Sequence, residues 1–189
     1  MELSAIDYSS QALVKIGAQP INSFNDGTAE SDVAGLLYEV ARDGLLAVHP
    51  WSFATGQVTL PRLKAKPVAD FTYAYQLPAD FLRALSVGED ERGRGGVYTI
   101  KEHRIHTDMS TIILSYIFRP DEGAFPSFFV TALIARLAAE FCLPLTESSS
   151  RTEFLTKIAE NELRRAKVID SQQATPGAFT NFPLIEARA

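Results

Sequence analysis

The sequence predicts an α+β fold: a bundle of about four helices interrupted by an antiparallel β insertion and followed by an extended C-terminal arm. Three observations predict it. Helical hydrophobic periodicity occupies both ends of the first 170 residues. Between them, residues 51–120 break into short β-prone runs separated by Pro, Gly and Asp. After Ser171 neither period survives, although large apolar residues continue.

The first helix is predicted over residues 3–17, where Leu3, Ile6, Leu13 and Ile16 keep near-helical spacing. Gly17 supplies a stop, and Pro20 follows. The run Asn22-Ser23-Phe24-Asn25-Asp26-Gly27 is turn chemistry. A second helix is predicted over 28–48. Thr28 caps it, and Glu30 and Asp32 favour its positive end. Its expected buried stripe is Val33, Leu36, Leu37, Val40, Ala41 and Val48, so Leu37→Asp is expected to unfold the chain. Pro50 ends the helix because the residue before proline avoids helical angles. Trp51-Ser52-Phe53-Ala54 then reads as an aromatic plug closing the bundle.

Six strands are expected, at 57–60, 71–77, 82–87, 97–101, 104–107 and 111–118, in an insertion projecting from the helices. After Pro126 the helical period returns. A helix over 127–142 buries Val130, Leu133, Ile134, Leu137, Ala138 and Phe141, while Ala132, Ala135 and Ala139 permit close approach. Pro144 is read as its end. A fourth helix over 150–169 is expected to start on a Ser150/Glu153 capping box. Residues 1–170 thus form one domain, and 171–189 an arm bearing Phe179, Phe182, Leu184 and Ile185. Four such side chains on a plain solvated tail would be an aggregation liability, so they are expected to dock.

No catalytic motif is present. The chain lacks both Gly-x-Ser-x-Gly and a phosphate-binding loop. Gly93-Arg94-Gly95-Gly96 reads as a hairpin turn, since it opens no helix. His103 and His106 lie three apart, which places them on opposite faces of a strand, and Asp108 adds too little for a metal site. Asp7, Asp70, Asp80 and Glu140 give no reason to pair, and the single cysteine, Cys142, reads as a small core residue. No cofactor is expected. Arg62, Lys64 and Lys66 alternate as if on one strand face, and Arg92, Arg94, Lys101, His103 and Arg104 surround the glycine turn. Both groups are solvated loops or contacts to an acidic partner or a passing DNA backbone. The formal net charge of −5 argues against wrapping nucleic acid. The N-terminus shows no basic, apolar leader, and no apolar stretch reads as a membrane span.

The order of these features resembles a known family. It runs from Ala12-Leu13-Val14-Lys15-Ile16-Gly17 and Pro20-Ile21 through Trp51-Ser52-Phe53-Ala54. It continues with Tyr75-Gln76-Leu77-Pro78-Ala79-Asp80-Phe81-Leu82-Arg83, then Tyr116-Ile117, then Leu133-Ile134-Ala135-Arg136-Leu137-Ala138. This pattern is similar to the adaptor proteins of tailed-phage head-to-tail connectors, among them the tail tubular protein A group and relatives in siphophages and gene transfer agents. The resemblance implies a structural, non-enzymatic subunit that assembles as a ring of about twelve copies beneath the portal protein. Such a ring continues the DNA channel and docks a stopper or tail protein. DNA passes through without specific binding, no membrane is involved, and the location is the particle neck after assembly in the host cytoplasm. The alternative is a phage-derived cell-wall hydrolase or a tail-tip binding protein, for which no residue pair in the chain speaks.

Overall fold

The computed structural model describes residues 3–89 and 93–173. The fold is α+β, with four helices and two small antiparallel sheets. In chain order the elements are α1 (Ala5–Ile16), α2 (Ala29–Ala47), β1 (Thr55–Thr59), β2 (Tyr73–Gln76), β3 (Phe81–Gly88), β4 (Thr99–Lys101), β5 (Arg104–Thr107), β6 (Ile113–Phe118), α3 (Ser127–Thr146) and α4 (Ser149–Ser171). The predicted arm residues Phe179, Phe182, Leu184 and Ile185 lie outside the described residues, as does Arg92.

Helix ends follow local chemistry. Ser4 and Asp7 form a capping box on α1, and Thr28 and Ser31 do so on α2. Gly17 adopts φ 82° after α1, a left-handed turn open to glycine without steric cost, and the backbone N–H groups of Gly17 and Ala18 return to Val14 and Leu13. α4 is capped two residues earlier than Ser150/Glu153 suggested: the Ser148 hydroxyl accepts from the Arg151 N–H. α3 does not stop before Pro144 but runs through it to Thr146, where Glu147 turns left-handed. Proline removes one hydrogen bond, and so close to the helix end little remains to be disrupted.

α3 is the axis of the bundle, with α1, α2 and α4 packed around it. Phe129, Leu133, Leu137, Phe141 and Cys142 are fully buried there. Its apolarity follows from that position. Among the described residues it is the one helix long and apolar enough to cross a membrane, contrary to the sequence reading, yet its side chains fill this core. Ala135 and Ala139 meet Ala159 of α4 in a seam of small residues, as the alanine spacing predicted.

The β insertion folds back on itself. β1 and β3 flank β6 in one sheet, and β2 and β4 flank β5 in the other. The pairing of Thr55 with Ile117 brings the insertion's two ends side by side. The first sheet does not simply project from the helices. Ile117, Leu82 and Leu85 join the helical core, whereas Tyr75, Leu77, Ile105 and Leu114 form a second core under the outer sheet. Gly88 is required where the glycine-rich loop returns, because a Cβ there would lie 2.3 Å from the Arg94 nitrogen.

Two expectations for burial are corrected. On α2, Leu36 and Val40 are 76% and 71% exposed, Val48 is exposed, and Leu37 is half-buried. Ala41 of the expected stripe is buried, and the rest of the buried face is Ser31, Ala34, Tyr38, Arg42, Leu45 and Leu46. α2 packs on α3 along one side only, so Leu36 and Val40 are left outside while Val33 and Leu37 lie half-buried against the core. Leu37→Asp therefore tests a half-buried position at the edge of the core and not its centre. On α4, where spacing predicts a stripe of Leu155, Ile158, Ala159, Leu163, Ala166 and Ile169, Ala159 and Ala166 are buried as expected, but Ile169 is exposed and Asp170 is buried beside it.

Candidate interaction surface

Polar side chains gather in three places. The first ties the insertion to the helices. Arg42, on the buried face of α2, donates from Nε to Asp43 at 2.9 Å and from Nη1 to Glu122 at 2.8 Å. Arg119, just after β6, completes an ion pair with Asp43. The Tyr8 hydroxyl donates to the Glu122 carbonyl at 3.0 Å, and the Tyr38 hydroxyl lies 3.5 Å from the Glu122 carboxylate. Burial pushes the Tyr38 phenol well up, with the Glu122 charge adding to it. Burial also opposes charge on Asp43, but hydrogen bonds from Arg119 and Arg42 outweigh it and hold the carboxyl below its ordinary value. Each strong group faces an opposite charge, which makes this a tie.

The tie has a pH signature. Since Asp43 titrates lower folded than unfolded, its contribution is fully present above the unfolded value of about 3.9 and is lost as pH falls through the lower folded value. The chain is expected to lose stability on acidification through that window. Asp43→Asn is expected to be less stable at neutral pH and to lose less on acidification. Thermal melts across the acid range check this.

The second place joins Ser52, His49 and Asp170, whose composition suggests a nucleophilic triad. Their arrangement differs. Asp170 sits between the other two, accepting from the Ser52 hydroxyl at 2.7 Å and the Ser52 N–H at 3.0 Å, with His49 Nε2 at 3.2 Å. Activating a serine requires histidine at its hydroxyl, and here the carboxylate takes that position. Asp170 is only 4% exposed, in the last turn of α4, where the helix dipole disfavours an anion. The Ser52 and His49 hydrogen bonds offset that cost, so the cluster pins the end of α4 to the turn after α2.

The third place is the outer sheet. Register pairs Lys101 with Arg104 and sets His106 between Ala74 and Thr99, so these side chains share one face. The loop 65–70 covers that face and brings Lys66 to a cleft of about 230 Å³ lined also by Lys101, Arg104 and His106. Val68 in the same loop is fully exposed. Arg62, Lys64 and Lys66 are all exposed but do not share a strand face. Pro61 and Pro67 lack backbone donors, and only an isolated bridge from Arg62 to Tyr75 forms. Arg62 instead stacks on Tyr73, 5.0 Å from the ring centre. Arg94 leaves the second predicted basic group and lies against the first sheet beside Gln57 and Ser115.

The other candidate residues are dispersed. His103 and Glu102 form the two-residue β4–β5 turn with φ of 58° and 51°, and His103 stands edge-on to Phe81. Asp108 is taken by the Thr72 hydroxyl and N–H. Asp7 caps α1, Asp70 pairs with Lys101, Asp80 faces the Tyr116 hydroxyl, and Glu140 pairs with Arg136. Cys142 is fully buried. Among the described residues no group of three or more His, Cys, Asp or Glu gathers as metal ligands, and no buried side-chain nitrogen or oxygen lacks a partner.

Among the described residues nothing covers the outer face of α2. Leu36 and Val40 stand exposed beside Asp32 and Glu39. Next to them a groove of about 330 Å³ runs between α2 and α4, walled by Leu37, Val40, Val48 and Leu163. Sequence reasoning missed both the Arg42 tie and the Asp170 pin. An arginine on an otherwise apolar helical face signals the first; the second joins residues 121 apart and leaves no local trace. Compared with models of known protein families and with curated proteins, the chain matches none.

Proposed function

We propose that this chain is the adaptor subunit of a tailed-particle head-to-tail connector. In this reading copies form a ring under the portal protein, continue the DNA channel and offer a platform to the stopper or tail protein. The observation that carries the reading is the order of elements: two helices, an aromatic plug, a β insertion returning on itself, and two more helices. That is the arrangement the sequence resemblance implies. Support comes also from the polar clusters, which tie elements together and aim at no substrate, and from the uncovered face of α2.

The test is incorporation. The full chain is expected to join purified portal rings, seen by electron microscopy and co-sedimentation. A chain truncated after Gln173 keeps Asp170 and its partners, so it should melt like the full chain. It should lose portal binding, as should the Phe179→Ala/Phe182→Ala double variant. Each buried apolar anchor is worth about 1.5–3 kcal/mol, and ordering the backbone costs about 1–2 kcal/mol per residue, so losing two anchors suffices. A full chain that ignores the portal overturns the reading; a truncated chain that joins normally removes the arm from it.

A further inference from the structure

We infer that copies of this chain associate head to tail, the basic outer sheet of one copy seating on the acidic, apolar outer face of α2 in the next. The inference deepens the connector reading and rests on it for closure of the contacts into a ring.

Charge is divided unevenly over the chain. Residues 61–77 and 97–107, which build the outer sheet and its loop, hold five Lys or Arg against two Asp or Glu. The remainder holds thirteen against twenty-one. The two acidic groups of the outer lobe neutralise little: Asp70 reaches Lys101 at 3.3 Å in an exposed pair, and Glu102 stands 3.8 Å from Arg104. Lys66 has no ion-pair partner among the described residues.

The face of α2 is the opposite in charge and alike in apolarity. Asp32 and Glu39 are exposed there beside Leu36 and Val40, and the helix's one basic residue, Arg42, is buried on the other side. Against it the outer lobe offers Val68, fully exposed, next to Lys66 and Lys101. Apolar anchors ringed by opposite charges are how specific interfaces are built, with charge setting register and partner.

A single chain does not bring the two faces together. α2 touches the insertion through β3 of the first sheet, and the outer lobe lies beyond that sheet. The faces are also different surfaces, so pairing them between copies is heterologous. Such contacts propagate and close into a ring when the rotation allows, whereas a two-fold dimer requires one self-complementary patch.

The experiment is a charge swap read by sedimentation velocity at low and high salt. The wild-type chain is expected to associate, less so at high salt. Asp32→Lys/Glu39→Lys and Lys66→Glu/Lys101→Glu should each melt normally and raise the dissociation constant more than about tenfold, since like charges then meet. An equimolar mixture of the two should associate again, because each altered face finds its complement on the other variant. Leu36→Ala/Val40→Ala should weaken association with the salt dependence unchanged. Variants that associate like wild type, or a mixture that stays monomeric, overturn the inference. So does a wild-type chain that remains monomeric, or a basic lobe that takes duplex DNA in preference to a second copy. Portal binding, scored separately, then still decides the connector reading.

Discussion

Trp51→Ala is expected to lower the melting temperature by about 6–20 °C, the largest effect of any single truncation in the chain. Trp51 is completely buried, and its ring meets Phe129 at 5.2 Å and His49 at 4.8 Å, with Phe53 and Phe128 close by. Its indole N–H donates to the Leu45 carbonyl at 3.0 Å, closing the end of α2. Removing a buried aromatic side chain costs about 3–5 kcal/mol, a large part of a total near 5–15. The cavity would open where α2, the plug and α3 meet, and rigid helices on three sides cannot collapse into it. Trp51→Phe keeps most of the packing and loses the hydrogen bond, so its loss should be smaller. Calorimetric melts of the three proteins check the order. A Trp51→Ala chain within about 2 °C of wild type would deny the plug its role.

Arg42→Ala is expected to cost about 3 kcal/mol, read as a lower urea midpoint with an unchanged slope. The Arg42 side chain is 8% exposed, and its partners Asp43 and Glu122 are 25% and 29% exposed. Deleting the cation leaves the Glu122 carboxylate unpaired beside Tyr38, and leaves Asp43 to Arg119 alone. Their residual contact with water keeps the cost at the lower end for a broken buried pair. Glu122→Gln in the Arg42→Ala background should cost less than in wild type, because the charge left unpaired is then removed. Additive losses would show that the pair does not couple.

The fold was legible in the sequence to the extent that local chemistry decides it. Thr28 caps α2, Gly17 ends α1, and six strands appear within two residues of where β-prone runs lie between Pro and Gly. What remained hidden was which side of α2 faces inward. Val33, Leu36, Leu37 and Val40 make the more hydrophobic stripe, but Ala34, Tyr38, Ala41 and Leu45 keep helical spacing equally well and are the ones buried. Small and amphipathic residues pack closely against α3, and periodicity alone cannot rank two phases of one helix. The basic cleft was hidden for a different reason. Lys66 came from one predicted group and Lys101 and Arg104 from the other, and only strand register unites them.

The side-by-side ends of the β insertion bear on how such a chain changes over evolutionary time. Paired residues across an antiparallel ladder lie about 4.5–5.5 Å apart, so Thr55 and Ile117 present α2 and α3 with a fixed two-strand base whatever lies beyond it. Residues 61–77 and 97–107 sit past that base, and their Tyr75, Leu77 and Ile105 share the second core with Val87, Leu114 and Tyr116 of the first sheet. The exposed loops of the outer lobe are therefore the replaceable part, while the side chains it turns onto the first sheet are held in place. Loops there can lengthen, shorten or change charge while the helices keep their places, so chains that share a helical frame are free to diverge fastest at that tip.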